Sequence, residues 1–529
     1  MALTLLSKRS SLLLLLLILV LALAGFLRLW QLDSIPPGLY PDEALNANQA
    51  LEIAATGEHR VFFPENNGRE GLFFSLVSFS FVLFGVSVFS FKLVGALAGI
   101  LTVLGQYLLS REFFQGLGKR LPLARSMALL SAFFLAVSFW HINFSRIGFR
   151  GILTPLALVF SFFFLLRGLR TKRLQDFLFS GLLFGAGFST YISFRVAVLP
   201  LAFLLAMGLI LAIQQKWGKR YIIGTALLLV ACLLTALPLA FYFLEHPEYF
   251  FSRATGVSVF STENPIFAFA KSLGQHLVMF NFQGDTNWRH NFAGAPQLFW
   301  PVGFLFLVGL GASVWRLGRA KALLFFQREK TREVLLPFAL HGFLLAWFFA
   351  LLLPGALTFE GAPHALRVIG AIPPVYLLAA FGACLVWERL SRFCRPAALV
   401  LLVLLVAGST GATFHKYFNS WASRPEVQGA FTKRFVDVGT ILNELPEEKI
   451  AYVAKTEGDL PTETVKFVQA AAGRENARFL EKEELSSFPF RPGDLVFFMN
   501  KDWENAEEFQ NRFPKAILKE YERFLLFEL

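Results

Sequence analysis

Charge is scarce in this chain. Only 16% of its 529 residues are Asp, Glu, Lys or Arg, against about a quarter in ordinary soluble domains. With 55% hydrophobic residues, 63 Phe among them, that deficit excludes a soluble globular protein. Cysteine is almost missing. Cys232, Cys384 and Cys394 fall in or beside apolar runs, and their spacing fits neither a metal site nor a disulfide framework. There is no glycine-rich phosphate loop of the nucleotide-binding kind, and no internal repeat.

What is present is a series of apolar runs, many of which approach or exceed the roughly 18–20 residues needed to cross hydrocarbon. The chain therefore reads as a polytopic α-helical membrane protein. Its first run, with Lys8 and Arg9 before it and "ALAG" at 22–25, mimics a signal peptide. The run continues through Phe26, Leu27, Leu29 and Trp30, so it reads as an uncleaved first span.

The net charge of +12 looks like a nucleic-acid signature until its placement is considered. Lys8/Arg9 and the connections 111–125, 167–173, 216–220, 316–332 and 389–395 are short and basic, which marks them as cytoplasmic. Parity then constrains the fold. If every apolar run crossed, loop 111–125 would lie outside. The conflict disappears if "GLFFSLVSFSFVLFG" (71–85), short and carrying three serines, lies along the membrane surface. About eleven spans follow, near 10–30, 90–110, 122–141, 152–169, 175–193, 196–214, 221–243, 297–315, 334–353, 373–388 and 396–414. The outer side then holds loops 31–89, 141–151, 244–296 and 354–372, where the chemically capable residues collect.

From about residue 415 the composition changes. Residues 415–529 carry 16 basic and 20 acidic residues and no spanning run. "KIAYVA" and "DLVFFM" read as buried strands, and "EVQGAFTKRFVDVGTILNEL" and "ETVKFVQAAAG" as helices. The expectation is a membrane domain over 1–414 and a small extracytoplasmic α/β domain over 415–529.

Asp42 and Glu43 follow "IPPGLYP", whose prolines stop the first span. Residues 42–56 read as a short helix with Asp42 near its N-terminus, where a carboxylate suits the helix dipole. The pair is compatible with simple N-capping, but its place at the membrane face, before an interfacial segment, favours a cleft. In "HINFSRIGFRGILTP", Arg146 and Arg150 are guanidiniums suited to a lipid phosphate or to headgroup contact. Tyr191 and Arg195 stand at the next outer boundary, where an arginine also snorkels. The loop "HLVMFNFQGDTNWRHNFAGAPQLF" holds His276, Asp285, Arg289, His290 and Asn291. Its histidines and carboxylate suit either a divalent ion shared with Glu70 or plain hydrogen bonding. In "FEGAPHALRVIGAIPP", His364 and Arg367 are spaced to share a helical face, and Arg367 is the strongest single candidate for a lipid phosphate.

The segment "PPGLYPDEALNANQALEIAATGEHRVFFP", followed by "REGLFF" and an apolar run, resembles the first outer loop of the GT-C superfamily of lipid-linked-sugar glycosyltransferases. The branch it is most similar to is that of the protein O-mannosyltransferases and aminoarabinose transferases. The resemblance covers roughly residues 10–380 and is strongest in the first loop. It implies two helices lying along the membrane, Asp42 as the catalytic carboxylate, and Glu43 in support of the loop or the reaction. It also implies that Glu70 is a metal ligand, possible partners including His290. The Lys and Pro that usually follow that glutamate are here Gly71 and Leu72, and the acidic residue common in the second loop is replaced by Arg146 and Arg150.

Together these expectations describe an inverting glycosyltransferase at the outer face of the cytoplasmic membrane, with the N-terminus inside. The donor would be a polyprenyl-phosphate sugar, the acceptor a lipid, glycan or protein, and the cofactor at most a divalent metal. Asp42 and Glu43 would form the catalytic pair. Arg146, Arg150, Tyr191, Arg195, Asp285, Arg289, His364 and Arg367 would bind substrate, with Glu70 and His290 as metal ligands. Oligosaccharyl transfer is disfavoured because no Trp-Trp-Asp motif occurs. The competing expectation is a transporter or flippase of a lipid-linked glycan, which would place charges within mid-membrane helices.

Overall fold

The structure, a computed structural model, describes residues 2–250, 256–325, 331–455 and 458–529, with the backbone alone for 2–10 and 325. The Lys8 and Arg9 side chains, residues 326–330 of the basic connection and residues 251–255 of the long loop therefore lie outside the described residues. In chain order the membrane part contains α1 (Ala2–Leu29), α2 (Pro41–Thr56), α3 (Leu72–Phe84), α4 (Val88–Gly116), α5 (Leu121–Ala136), α6 (Phe139–Arg146), α7 (Leu153–Thr171), α8 (Leu174–Gly187), α9 (Val198–Gln214), α10 (Gly218–Glu245), α11 (Pro265–Val278), α12 (Trp300–Phe325), α13 (Arg332–Ala350), α14 (Ile372–Phe393) and α15 (Arg395–Phe414).

Among the described residues, nine segments are long and apolar enough to cross a membrane, ten if the bent pair α5–α6 is one span. This is a multi-pass membrane protein. The count falls short of eleven chiefly at the run expected over 175–193. There α8 has 14 residues, about 21 Å of helix against a hydrocarbon core of ~30 Å. Its Gly181 and Gly185 leave no room for a Cβ against the Leu228 and Cys232 carbonyls of α10, so α8 is held tightly to its neighbour and then gives way to turns. The chain also bends by 57° between α5 and α6, where Ser138 caps α6 by accepting from the His141 amide at 3.1 Å.

Helix α3 has the length expected of a segment that does not cross: 13 residues, about 20 Å. Phe73, Phe74, Val77 and Phe81 face the bundle, while Phe79, Val82, Leu83 and Phe84 are exposed. An apolar face left bare in this way belongs against lipid.

The C-terminal part holds α16 (Pro425–Ala430), α17 (Lys433–Glu444), α18 (Thr462–Ala471) and a five-stranded mixed sheet. After the small hairpin β1 (Phe62–Phe63) and β2 (Arg69–Glu70), its strands are β3 (Ala451–Lys455), β4 (Ala477–Glu481), β5 (Leu495–Phe498), β6 (Ile517–Glu520) and β7 (Leu525–Glu528), in the order β4-β3-β5-β7-β6. β3 runs parallel to β4 and β5, with Ala451 opposite Ala477 and Leu495. Alternation sends Val453, Phe497 and Leu526 to one buried face, and Ala454, Val496, Phe498 and Phe527 to the other. The single helix expected over 426–445 is broken at Thr432, whose φ is 47°.

This part is docked on the first loop. The Thr432 and Thr464 hydroxyls donate to the Leu39 carbonyl at 3.3 and 3.0 Å. Asn48 donates to the Glu463 carboxylate at 2.7 Å, and Phe467 packs against Phe81 and Phe91.

Candidate active site

The chain leaves α1 through Pro36, Pro37 and Gly38, and Pro41 opens α2 with its fixed φ. Adjacent residues of a helix diverge by about 100°, so Asp42 and Glu43 meet different surroundings. Glu43 is fully buried. Its carboxylate accepts from the Tyr40 amide at 3.3 Å and from the Gly148 amide at 3.0 Å. Burial pushes its pKa up, against the pull of the Lys92 ammonium and of those two amides. One turn later Asn46 donates to the Gly148 carbonyl at 2.8 Å and accepts from Arg69 at 2.6 Å. Glu43 and Asn46 thus fasten α2 to residues 147–149 and to β2.

Asp42 is half-buried and accepts from the Asn66 side chain. Asn66 belongs to a turn in which Asn66, Asn67 and Gly68 all have positive φ, a conformation for which Asn and Gly are suited. Tyr40, on the other side of Asp42, carries the Arg289 guanidinium 3.8 Å from its ring centroid. Its phenol is held above the usual tyrosine range, chiefly by burial and then by the Asp42 charge.

Two arms extend from Asp42. Through the Asn66 turn one leads to Glu70, which accepts from Arg150 Nε at 2.7 Å in a buried ion pair. Arg150 also lies 5.4 Å from the Tyr191 ring centroid, and Arg195 stands over the Phe250 ring and donates to the Phe250 carbonyl at 2.7 Å. Through Arg289 the other arm leads to a group of three. His290 Nδ1 is 3.0 Å from Asp285 Oδ2, the His290 and His364 rings are 4.7 Å apart, and Asp285, His290 and His364 each bring a ligand-type atom within 4.8 Å of the others. Asp285 also orders its loop, accepting from the Ala365 and Asn287 amides at 2.7 and 2.8 Å. His276 Nε2 accepts from the His364 amide at 3.0 Å, and its Nδ1 lies 2.8 Å from the Ser272 carbonyl. Arg367 donates to Thr358 Oγ1 at 2.8 Å and to the Glu360 carbonyl at 2.6 Å.

The loops that the charge pattern placed on one side do converge at one end of the bundle. Other details refine or differ from the sequence reading. Arg146 is fully buried and donates to the carbonyls of Leu27, Trp30, Gln31 and Ile35. It caps the end of α1, where helix carbonyls lack internal partners. Glu43 is enclosed with its carboxylate on the Tyr40 and Gly148 amides, which suits the loop-supporting one of its two expected roles. Glu70 is bonded to Arg150, and His290 is grouped with Asp285 and His364 instead of with Glu70. His364 and Arg367 share no helix, since residues 365–368 form a turn, although the Arg367 amide reaches His364 Nδ1 at 3.4 Å. Sequence reasoning missed Tyr40 and Asn66. The run "ENNG" was the available sign of a left-handed turn beside the acidic pair.

Comparison with known proteins adds the fold. ArnT from Cupriavidus metallidurans, described as bound to undecaprenyl phosphate, superposes with a TM-score of 0.56 at 14% identity, covering 96% of this chain and 97% of that one. Its apo form gives 0.54 at 13%, covering 98% of each. The Archaeoglobus fulgidus oligosaccharyltransferase, described in complex with Zn and sulfate, gives 0.51 at 14%, covering 91% of this chain and 67% of that one. The chain has the GT-C fold. Residues 72–242 also match the family model described as dolichyl-phosphate-mannose-protein mannosyltransferase. The matched stretch includes Arg150, Tyr191 and Arg195 and begins after Asp42, Glu43 and Glu70. Comparison with the curated proteins found no match.

Proposed function

We propose that the protein is a glycosyltransferase that moves a sugar from a polyprenyl-phosphate donor to an acceptor hydroxyl or amine. The observation that carries this reading is the division among three carboxylates. Glu43 and Glu70 are buried and engaged, whereas Asp42 is left half-exposed between two cationic arms. The GT-C fold supports it, and so does the undecaprenyl phosphate named with the Cupriavidus metallidurans protein.

In this mechanism the acceptor O or N attacks the anomeric carbon and gives its proton to Asp42. The bond from that carbon to the phosphate oxygen breaks, and its electron pair leaves on the polyprenyl phosphate. Attack from the face opposite the leaving group inverts the configuration. General-base assistance of this kind contributes about 10²–10⁴-fold. Arg150, Arg195, Arg289 and Arg367 are the cations for the phosphate, which departs as an anion and so needs no proton donor. Tyr40 positions Arg289 beside Asp42.

Asp285, His290 and His364 fit a divalent ion. Asp285 holds His290 by its Nδ1, as carboxylates hold metal-binding histidines, and the three groups are close enough to converge. An ion bound there would supply positive charge near the departing phosphate. The basic inner connections support a site on the outer face of the cytoplasmic membrane. The docking of Thr432 and Thr464 on Leu39 supports an extracytoplasmic domain over residues 415–529, on the side of that loop. Lipid, glycan and protein acceptors all suit this placement.

The test is the purified full chain incubated with a panel of polyprenyl-phosphate sugars, free polyprenyl phosphate and glycosylated acceptor being measured by mass. Release of polyprenyl phosphate with matching sugar transfer is expected for one donor class. A folded protein that turns over none of them, but carries a lipid-linked glycan across vesicles, would replace this reading with a flippase.

A further inference from the structure

A second polar feature lies away from the Asp42 arms, below the segment 296–300 that follows the Asp285 loop. A cavity of about 210 Å³ opens there between α5, α6, α14, α15 and the start of α12. Its walls are largely carbon, with Phe134, Val137 and Val302 among them. Six polar side chains interrupt that lining; Tyr376 donates to Ser138 Oγ at 2.5 Å and Thr413 to the Val137 carbonyl at 2.7 Å, and the other three are Gln297, Ser409 and Lys416. Gln297 is 3% exposed, and both polar atoms of its carboxamide are buried without a hydrogen-bond partner. The Ser409 hydroxyl, 1% exposed, is likewise unpartnered. Lys416 is half-buried, its ammonium 4.8 Å from the Phe139 ring centroid and 5.7 Å from that of Phe292. It forms no ion pair among the described residues.

A buried polar group without a partner is costly, so Gln297 and Ser409 beside one cavity favour an occupant that can bond to them. The space exceeds the ~150 Å³ that holds a benzene ring, enough for part of a chain whose remainder lies in the bilayer. Access from the lipid is open, because α15 belongs to one of the least buried spanning segments. Lys416 lies five residues before the end of that segment at Trp421, and Ser409 lies seven residues earlier, roughly 10 Å deeper at 1.5 Å per residue.

We propose that this cavity binds one anionic glycerophospholipid. Lys416 takes the phosphate, Gln297 and Ser409 donate to oxygens of the glycerol-ester region, and the carbon walls hold the upper acyl chain. A polyprenyl phosphate is the poorer occupant, because below its phosphate it is hydrocarbon alone and leaves Gln297 and Ser409 unpaired. The site is separate from the arginine arms and does not depend on the sugar-transfer reading.

The experiment is native mass spectrometry of the delipidated full chain in detergent, titrated separately with phosphatidylglycerol, phosphatidylcholine and polyprenyl phosphate. One saturable phosphatidylglycerol adduct is expected, weakened about tenfold or more by Lys416→Gln and by Gln297→Leu, with the polyprenyl phosphate adduct unchanged by either. Ser409→Ala, a small deletion that threatens folding least, is expected to weaken the same adduct. Equal phosphatidylglycerol binding by wild type and the folded variants overturns the proposal. So does a folded wild type that binds no phosphatidylglycerol, or polyprenyl phosphate competing for it on equal terms.

Discussion

Glu70→Gln separates two roles for a residue that the family resemblance made a metal ligand and the structure makes an ion-pair partner. The Glu70–Arg150 contact is 2.7 Å, with side chains 3% and 8% exposed. Removing one member of a buried pair leaves the other charge uncompensated, which costs about 3–5 kcal/mol. Arg150 keeps its place against the Tyr191 ring and reaches the Gly68 carbonyl at 3.4 Å, so the loss belongs at the low end, about 3 kcal/mol. The assay is a double-mutant cycle of Glu70→Gln and Arg150→Gln, read by unfolding of the detergent-solubilised protein, with bound metal measured in parallel. The expected result is two destabilised single variants, a double variant much less destabilised than their sum, and unchanged metal content. Independent effects, with metal lost from Glu70→Gln alone, would refute the ion-pair account.

Three further outcomes follow from the same geometry. Arg146→Ala, which strips four carbonyls of a charged donor, is expected to cost about 3 kcal/mol or more of stability with donor KM unchanged; intact stability with a raised KM would return Arg146 to the substrate. Burial, chiefly, holds His276 below its usual 6.5, so the stability it lends the 354–367 segment is full above 6.5 and is lost as the pH falls through the depressed value. Hydrogen exchange of that segment at stepped pH checks this, and a His276→Gln variant showing the same acid step contradicts it. Thr464→Val deletes the 3.0 Å bond to Leu39, worth about 1 kcal/mol. It is expected to lower kcat several-fold with donor KM unchanged, because Leu39 lies three residues before Asp42; unaltered kcat would mean the C-terminal part does not position this loop.

Much of the fold was legible because its causes are local. The parity of basic loops called for a segment that does not cross, and α3, at 13 residues, is short enough to be one. Two of the five C-terminal strands, β3 and β5, stood out as short apolar runs between polar ones, whereas β4, β6 and β7 were not read. The Asp42–Glu43 divergence was also implicit in helical geometry, since neighbouring residues point different ways. The missed features depend on contacts between distant parts of the chain. Arg146 looked like a phosphate ligand until the end of α1 was found packed across it. Glu70 reads as a ligand in one dimension, and only the approach of Arg150, 80 residues on, reassigns it. The shortening of α8 follows from glycines set against α10, and the break at Thr432 accompanies the docking of that hydroxyl on Leu39.

The central claim is that Asp42 takes the acceptor proton. Asp42→Asn preserves shape and an oxygen that still accepts from Asn66, while removing the charge and the base. Single-turnover transfer from the accepted polyprenyl-phosphate sugar, with donor binding measured on the same protein, is the direct measurement. A fall of about 10²–10⁴-fold in the rate, with donor affinity within a few-fold of wild type, is predicted. Transfer at the wild-type rate by a folded Asp42→Asn protein would contradict the account.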